Sequence, residues 1–191
     1  PIGYSYTPLS MKSFLPFIAI SCFLVLFTGR LKAADADVTL VAHWPLDEVS
    51  PGATPDSVGA AAMELVNVTA GNLVTGKRGQ ALAFDANRNT LLARTHAAGD
   101  ALPINQYAAY TVSLWVRGDG VGQSDLRVFS EGSDSDNTPL FNIGTDRAGN
   151  SGVVDIFIRP GANHMLSNKD AFDNDWHHVA WVQTANSATL Y

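Results

Sequence analysis

From Val38 to the last residue, apolar and polar side chains alternate with a period of two in short runs. Val38, Leu40, Ala42, Trp44 and Leu46 share one face of the first run. Leu82 and Phe84 pair in the run 80–85, and Val112, Leu114 and Val116 alternate with Thr111, Ser113 and Trp115 in the run 110–117. Runs 126–130, 140–143, 153–159 and 177–183 behave alike, with shorter ones at 63–68, 90–93 and 187–191. Successive side chains of a strand point to opposite faces, so this period predicts strands rather than helices. Turn-forming residues separate the runs at 50–52, 76–79, 118–120, 132–137, 146–152 and 170–175. Many short strands with such punctuation, and no long amphipathic helix, predict an all-β antiparallel sandwich or barrel. Several runs are apolar on both faces, which points to a sandwich of the jelly-roll kind.

Composition sharpens this picture. Of the 18 acidic residues, 15 are Asp and three are Glu; Lys occurs four times, Asn 12 times and Gly 16 times. Asp, Asn and Gly serve turns, whereas Glu and Lys serve helices. An apolar content of 46% excludes a disordered chain. The formal charge of −6, with no basic run to meet phosphates, speaks against nucleic acid as a partner.

The first 36 residues read as an address. Met11 and Lys12 precede an apolar run at 14–27, which is followed by Arg30 and Lys32. That run is shorter than the roughly 20 residues a membrane-spanning helix needs. A positive start, a short apolar core and small residues at Ala34 and Ala36 describe a signal peptide over 11–36, cleaved after Ala36. Residues 1–10 are then upstream translation, and the mature domain is 37–191, with a net charge of −8 and no cysteine, since Cys22 lies in the apolar run. Disulfides and thiolate sites are thereby excluded from it. The product is expected to be secreted (periplasmic, extracellular or cell-surface), with no membrane span after cleavage.

Three stretches carry a family resemblance. Gly76-Lys77-Arg78-Gly79-Gln80-Ala81-Leu82-Ala83-Phe84-Asp85, Tyr110-Thr111-Val112-Ser113-Leu114-Trp115-Val116 and Asp175-Trp176-His177-His178-Val179-Ala180-Trp181-Val182 resemble the laminin-G-like jelly roll of the concanavalin A-like lectin/glucanase superfamily. Ala42-His43-Trp44-Pro45-Leu46-Asp47-Glu48 is similar to its first strand and acidic turn. The resemblance spans about 38–191 and implies a non-catalytic module that binds glycans or proteins. It also implies closing strands beyond Tyr191, so the jelly roll is expected to be incomplete at its C-terminus.

Candidate chemistry is sparse. Retaining glycosidases need two carboxylates about 5.5 Å apart, and the related hydrolases use Glu-x-Asp-x-x-Glu. Glu48, Glu64 and Glu131 fit no such pattern, and Glu131 is placed in a Gly/Ser turn, so no catalytic residue is assigned. His177 and His178 are adjacent on a strand and cannot share one metal ion; one is expected to pack inward with a hydrogen bond and the other to face out. His43, His96 and His164 have no partner spacing. Trp44, Trp115, Trp176 and Trp181 lie in apolar company, and most of them are expected in the core. Asp155, Phe157 and Arg159 share one face opposite Val154, Ile156 and Ile158, either as a ligand-facing stripe or as an ordinary solvated face. Calcium takes six to eight oxygen ligands. The loop 134–137 offers them, and its setting resembles the pentraxin branch of the fold. There an Asp-Asn pair helps to hold calcium, which carries onto Asp136 and Asn137 beside Asp134. Asp47 and Asp56 form a second acidic pair, and Asn67-Val68-Thr69 is a glycosylation sequon.

Three functions follow from the resemblance: a secreted carbohydrate-binding module, a structural or protein-adhesion module of a longer surface protein, and an accessory domain of a secreted enzyme such as a glycoside hydrolase. Its partner is a glycan or an extracellular protein. Because closing strands are expected beyond Tyr191, residues 37–191 expressed alone should aggregate through open sheet edges. Light scattering on the purified fragment checks this, and a soluble monomer that melts cooperatively overturns it.

Overall fold

The computed structural model describes residues 39–50, 52–96, 102–133, 138–161 and 163–191. Twelve strands occur among them: β1 (Ala53–Thr54), β2 (Met63–Val66), β3 (Leu73–Thr75), β4 (Gln80–Leu82), β5 (Leu91–Ala93), β6 (Tyr110–Val116), β7 (Arg127–Gly132), β8 (Leu140–Thr145), β9 (Val153–Arg159), β10 (Asn163–Asp170), β11 (His177–Gln183) and β12 (Ala188–Leu190). Three single 3-10 turns complete the regular structure. No α-helix occurs among the described residues, so the chain is all-β, as the period-two pattern requires.

Two antiparallel sheets build the sandwich. One has the order β10-β9-β8-β7 and the other β12-β11-β6. Register decides what lies between them. Phe141 stands opposite Ile158, Ile143 opposite Ile156 and Thr145 opposite Val154, which puts these side chains on one face of the first sheet. On the second sheet Val179 pairs with Leu114 and Trp181 with Val112. Phe141, Ile143, Val154 and Ile156 merge with Val116, Phe172, Val179 and Trp181 into one buried cluster. Trp181 is 1% exposed and its ring centroid lies 6.0 Å from that of Phe141, across the gap between the sheets. Apolar burial of this kind stabilises by roughly 25 cal/mol per Å², and the described residues contain no cysteine to assist it.

The first half of the domain adds two smaller sheets, β1-β2-β5 and β3-β4. The β3–β4 hairpin turns through Gly76-Lys77-Arg78-Gly79, closed by Gly76 N–H donating to the Gly79 carbonyl at 3.0 Å. Gly79 has φ +58, and a Cβ there would overlap the Asp47 carboxylate. That carboxylate accepts the Gln80 N–H at 2.7 Å. The glycine of the Gly-Gln-Ala-Leu motif is therefore fixed both by left-handed backbone and by close approach.

Four expectations need correction. Residues 39–49 form no strand, although Ala42, Trp44 and Leu46 are partly buried. Their backbone is satisfied otherwise: His43 N–H donates to Asp56 and its carbonyl accepts from Ser57, while Leu46 turns to φ +59. Asn163–Asp170 is a strand although it is almost wholly polar. Glu131 lies in β7 rather than in a turn. It faces the core opposite Phe141 and is buried, with Oε1 accepting the Leu102 N–H at 3.1 Å and lying 3.8 Å from His96 Nε2. The tryptophans divide: Trp181 is core and Trp44 and Trp176 are partly buried, whereas Trp115 is 40% exposed.

Trp181→Ala should lower stability by about 3–5 kcal/mol, the cost of emptying a large buried site. Val121→Ala, at a position 74% exposed, should change it by less than about 0.5 kcal/mol. Urea midpoints at constant slope report both values; equal effects would contradict the placement of the core.

Candidate functional site

Strand β9 presents Val154, Ile156 and Ile158 to the core and Asp155, Phe157 and Arg159 to the other side. The three residues predicted as a stripe do share a face, and the neighbouring strands extend it. On β10, Leu166 stands opposite Asp155 and His164 opposite Phe157. On β8, Gly144 stands opposite Asp155 and Asn142 opposite Phe157, and Ser130 of β7 stands opposite Asn142.

The side chains in this row bind one another. His164 Nδ1 lies 2.8 and 3.0 Å from the two carboxylate oxygens of Asp155. A carboxylate only accepts, so Nδ1 carries the proton and Nε2 is left for another partner. Asp155 is 5% exposed, and a charge so buried requires such a partner. The His164 ring also lies over Phe157, with centroids 4.6 Å apart and planes 35° apart. Arg159 brings its guanidinium to 5.4 Å from the Phe157 ring centre. Ser130 Oγ and Asn142 Oδ1 are 2.6 Å apart, and Asn142 is buried although it sits on the outward face of its strand.

At one end of the row is a shallow depression of about 360 Å³, lined by Asp146, Arg147, Ala148, Asp155, His164 and Leu166. This is the lower end of the roughly 300–1,000 Å³ seen for ligand clefts. Asp146 shapes its rim. The carboxylate accepts from the Ala148 N–H, the Ser151 hydroxyl and the Asn150 N–H at 2.9–3.0 Å. These donors, the Ala148 N–H first, hold its carboxyl below the ordinary range against a smaller opposing effect of burial.

Other predicted positions fall elsewhere. Asp134, Asp136 and Asn137, the candidate calcium ligands, lie outside the described residues, as does the cleavage position Ala36. Asp47 and Asp56 serve separate turns. His177 and His178 do face opposite ways: His177 Nε2 lies 2.8 Å from Asp173 Oδ1, and His178 lies against Trp115. Asp173 is held below its usual value by the Asp175 N–H and then by His177. Among the described residues, no group of three or more His, Cys, Asp or Glu side chains could hold a metal ion.

His164 is the site residue that spacing missed. It contacts Asp155 only because β9 and β10 form a hairpin, and β10 lacks the apolar content that marks a strand. The Pro160-Gly161 pair after Arg159 was the available signal, since such pairs mark turns.

A sequence model of the concanavalin A-like lectin/glucanases superfamily matches residues 79–191. The chain belongs to that superfamily. The match runs from the Gly79 turn through β12 and includes every strand of both facing sheets. No curated protein and no solved structure matches the chain. Laminin-G-like domains of this superfamily are binding modules. No helix among the described residues is long and apolar enough to cross a membrane.

Asp56 gives a measurable handle on the N-terminal half of the domain. Burial works to raise its pKa, but the backbone N–H groups of His43, Val58, Gly59 and Ala61 outweigh burial and bring it down to about 2. A carboxyl depressed on folding stabilises fully above its unfolded value, near 4, and that contribution disappears as pH falls through 2. Asp56→Asn should therefore cost about 1 kcal/mol at pH 6, with the gap from wild type narrowing markedly as pH falls from 4 towards 2. Urea titrations across this range check this.

Proposed function

We propose that the chain is a secreted, non-catalytic module that binds an uncharged glycan along the outward row of β9 and β10. The supporting observation is the assembly of one aromatic ring and several polar groups on a single sheet face: Phe157 between His164 and Arg159, with Asp155 and Asn142 alongside. A sugar ring offers an apolar C–H face and a rim of hydroxyls. The Phe157 ring suits the first, and the free Nε2 of His164 and the exposed guanidinium of Arg159 suit the second. The Asp155 carboxylate is buried and hydrogen-bonded to His164, so it presents no open charge to a ligand, which favours a neutral one.

Binding is favoured over hydrolysis by the state of the nearby carboxylates. Asp146 is committed to three loop donors and Asp155 to His164. A glycosidase needs one carboxyl that keeps a proton for the leaving group, and the donors around Asp146 oppose that role. Glu131 faces the core, away from this row. Calcium on the loop 134–137 stays part of the proposal through its likeness to pentraxins.

A glycan array on the full chain tests the reading, with and without a calcium chelator. Retention of neutral oligosaccharides is expected. Phe157→Ala should weaken it by about tenfold or more, while circular dichroism stays unchanged. No binding in either condition rejects the glycan ligand and favours the adhesion role. Binding and thermal stability that ignore the chelator reject calcium.

A further inference from the structure

The other sheet carries a second outward row, made of different chemistry. On β6 the outward positions end with Trp115, and Arg117 follows on the same side by alternation. On β11 His178 stands directly opposite Trp115, and Trp176, the residue just before β11, follows on the same side by alternation. The His178 and Trp115 rings are 5.2 Å apart at 55°. The Arg117 guanidinium lies 5.1 Å from the Trp176 ring centre. From the tip of the β3–β4 hairpin, Lys77 brings its Nζ to 5.5 Å from the Trp115 ring. Trp115, Arg117, Lys77 and His178 are all exposed.

This gathering is unusual for the chain. It has 12 Lys and Arg against 18 acidic residues, and four Trp; here two cations meet two indoles. Asp173, close by in the chain, is occupied by His177 and the Asp175 N–H and does not neutralise the row. An indole face half open to solvent serves no core, and large exposed aromatics beside polar groups mark contact surfaces.

From this row we infer a second binding site, for a polysaccharide of uronic acids. Pyranose rings stack by their C–H faces on Trp115 and Trp176, and their carboxylates take charge-assisted hydrogen bonds from Lys77 and Arg117. Two cations on a chain of net charge −6 suit a polymer with one charge per sugar. Nucleic acid and densely sulfated chains draw affinity from many phosphate or sulfate contacts, which this row cannot supply. The inference stands independently of the β9–β10 site, because the two rows lie on the outer faces of different sheets.

A biosensor surface bearing polygalacturonate tests it with the full chain. Wild type should bind, and should bind the carboxyl-reduced polymer at least about tenfold more weakly. The double variant Lys77→Gln, Arg117→Gln and the single variant Trp115→Ala should each lose about tenfold, and Phe157→Ala should lose nothing. Both cations are exposed, so the double variant carries the test should Trp115→Ala fail to fold. The inference is overturned by failure of wild type to bind, by an unchanged double variant, or by tighter binding to dextran sulfate or single-stranded DNA. Loss of neutral-glycan binding in Phe157→Ala alone bears only on the first site.

Discussion

Phe141 against Trp181 is the contact on which the rest of the domain depends. It bridges the two sheets, and Ile143, Val154, Ile156, Val116 and Val179 close around it. No disulfide supports the described residues, so this seam must hold the sheets in register by packing alone. Strands fixed on their inner side have no freedom on their outer side. The positions of Asp155, Phe157 and Arg159 follow from the seating of Val154, Ile156 and Ile158, one residue out of phase. Trp115 is fixed in the same way by Leu114 and Val116.

The two outer faces then differ for reasons that lie in single side chains. On the β9–β10 face the Asp155 carboxylate is hydrogen-bonded by His164, and the one guanidinium rests on Phe157. On the β6–β11 face two cations rest on indoles, with no carboxylate bound to them among the interactions described. Cation–π contacts do not neutralise charge, so this face keeps a positive character within an acidic protein. One fold thus presents a neutral and a cationic aromatic surface, and neither could be foreseen from net charge.

Much of the architecture was legible. Val153–Arg159 and His177–Gln183 match their predicted spans, and Tyr110–Val116 differs by one residue, because apolar alternation and burial coincide there. It failed where the two separate. Asn163–Asp170 is an edge strand with little apolar content, and its identity comes from hydrogen bonding to β9 rather than from its own sequence. Residues 39–46 have the alternation without the ladder, since side chains of Asp56 and Ser57 take the hydrogen bonds that a neighbouring strand would otherwise supply. The stripe on β9 was visible, but its partner His164 was not, because contact across a hairpin leaves no spacing within either strand.

The Asp155–His164 hairpin has a consequence for how such a domain can change. Positions 155, 157, 159 and 164 share strands with core residues, yet every outward side chain is one pleat away from the sandwich interior. Variation at these positions alters the surface chemistry while the apolar seam is left intact. A one-residue slip of β9 against its neighbours would move its apolar set to the outer face, whereas β10 absorbs a register shift between Leu166 and Asp170. Point substitution is therefore a permitted route to new ligands for this sheet, and change of length in β9, which is paired on both sides, is a closed one.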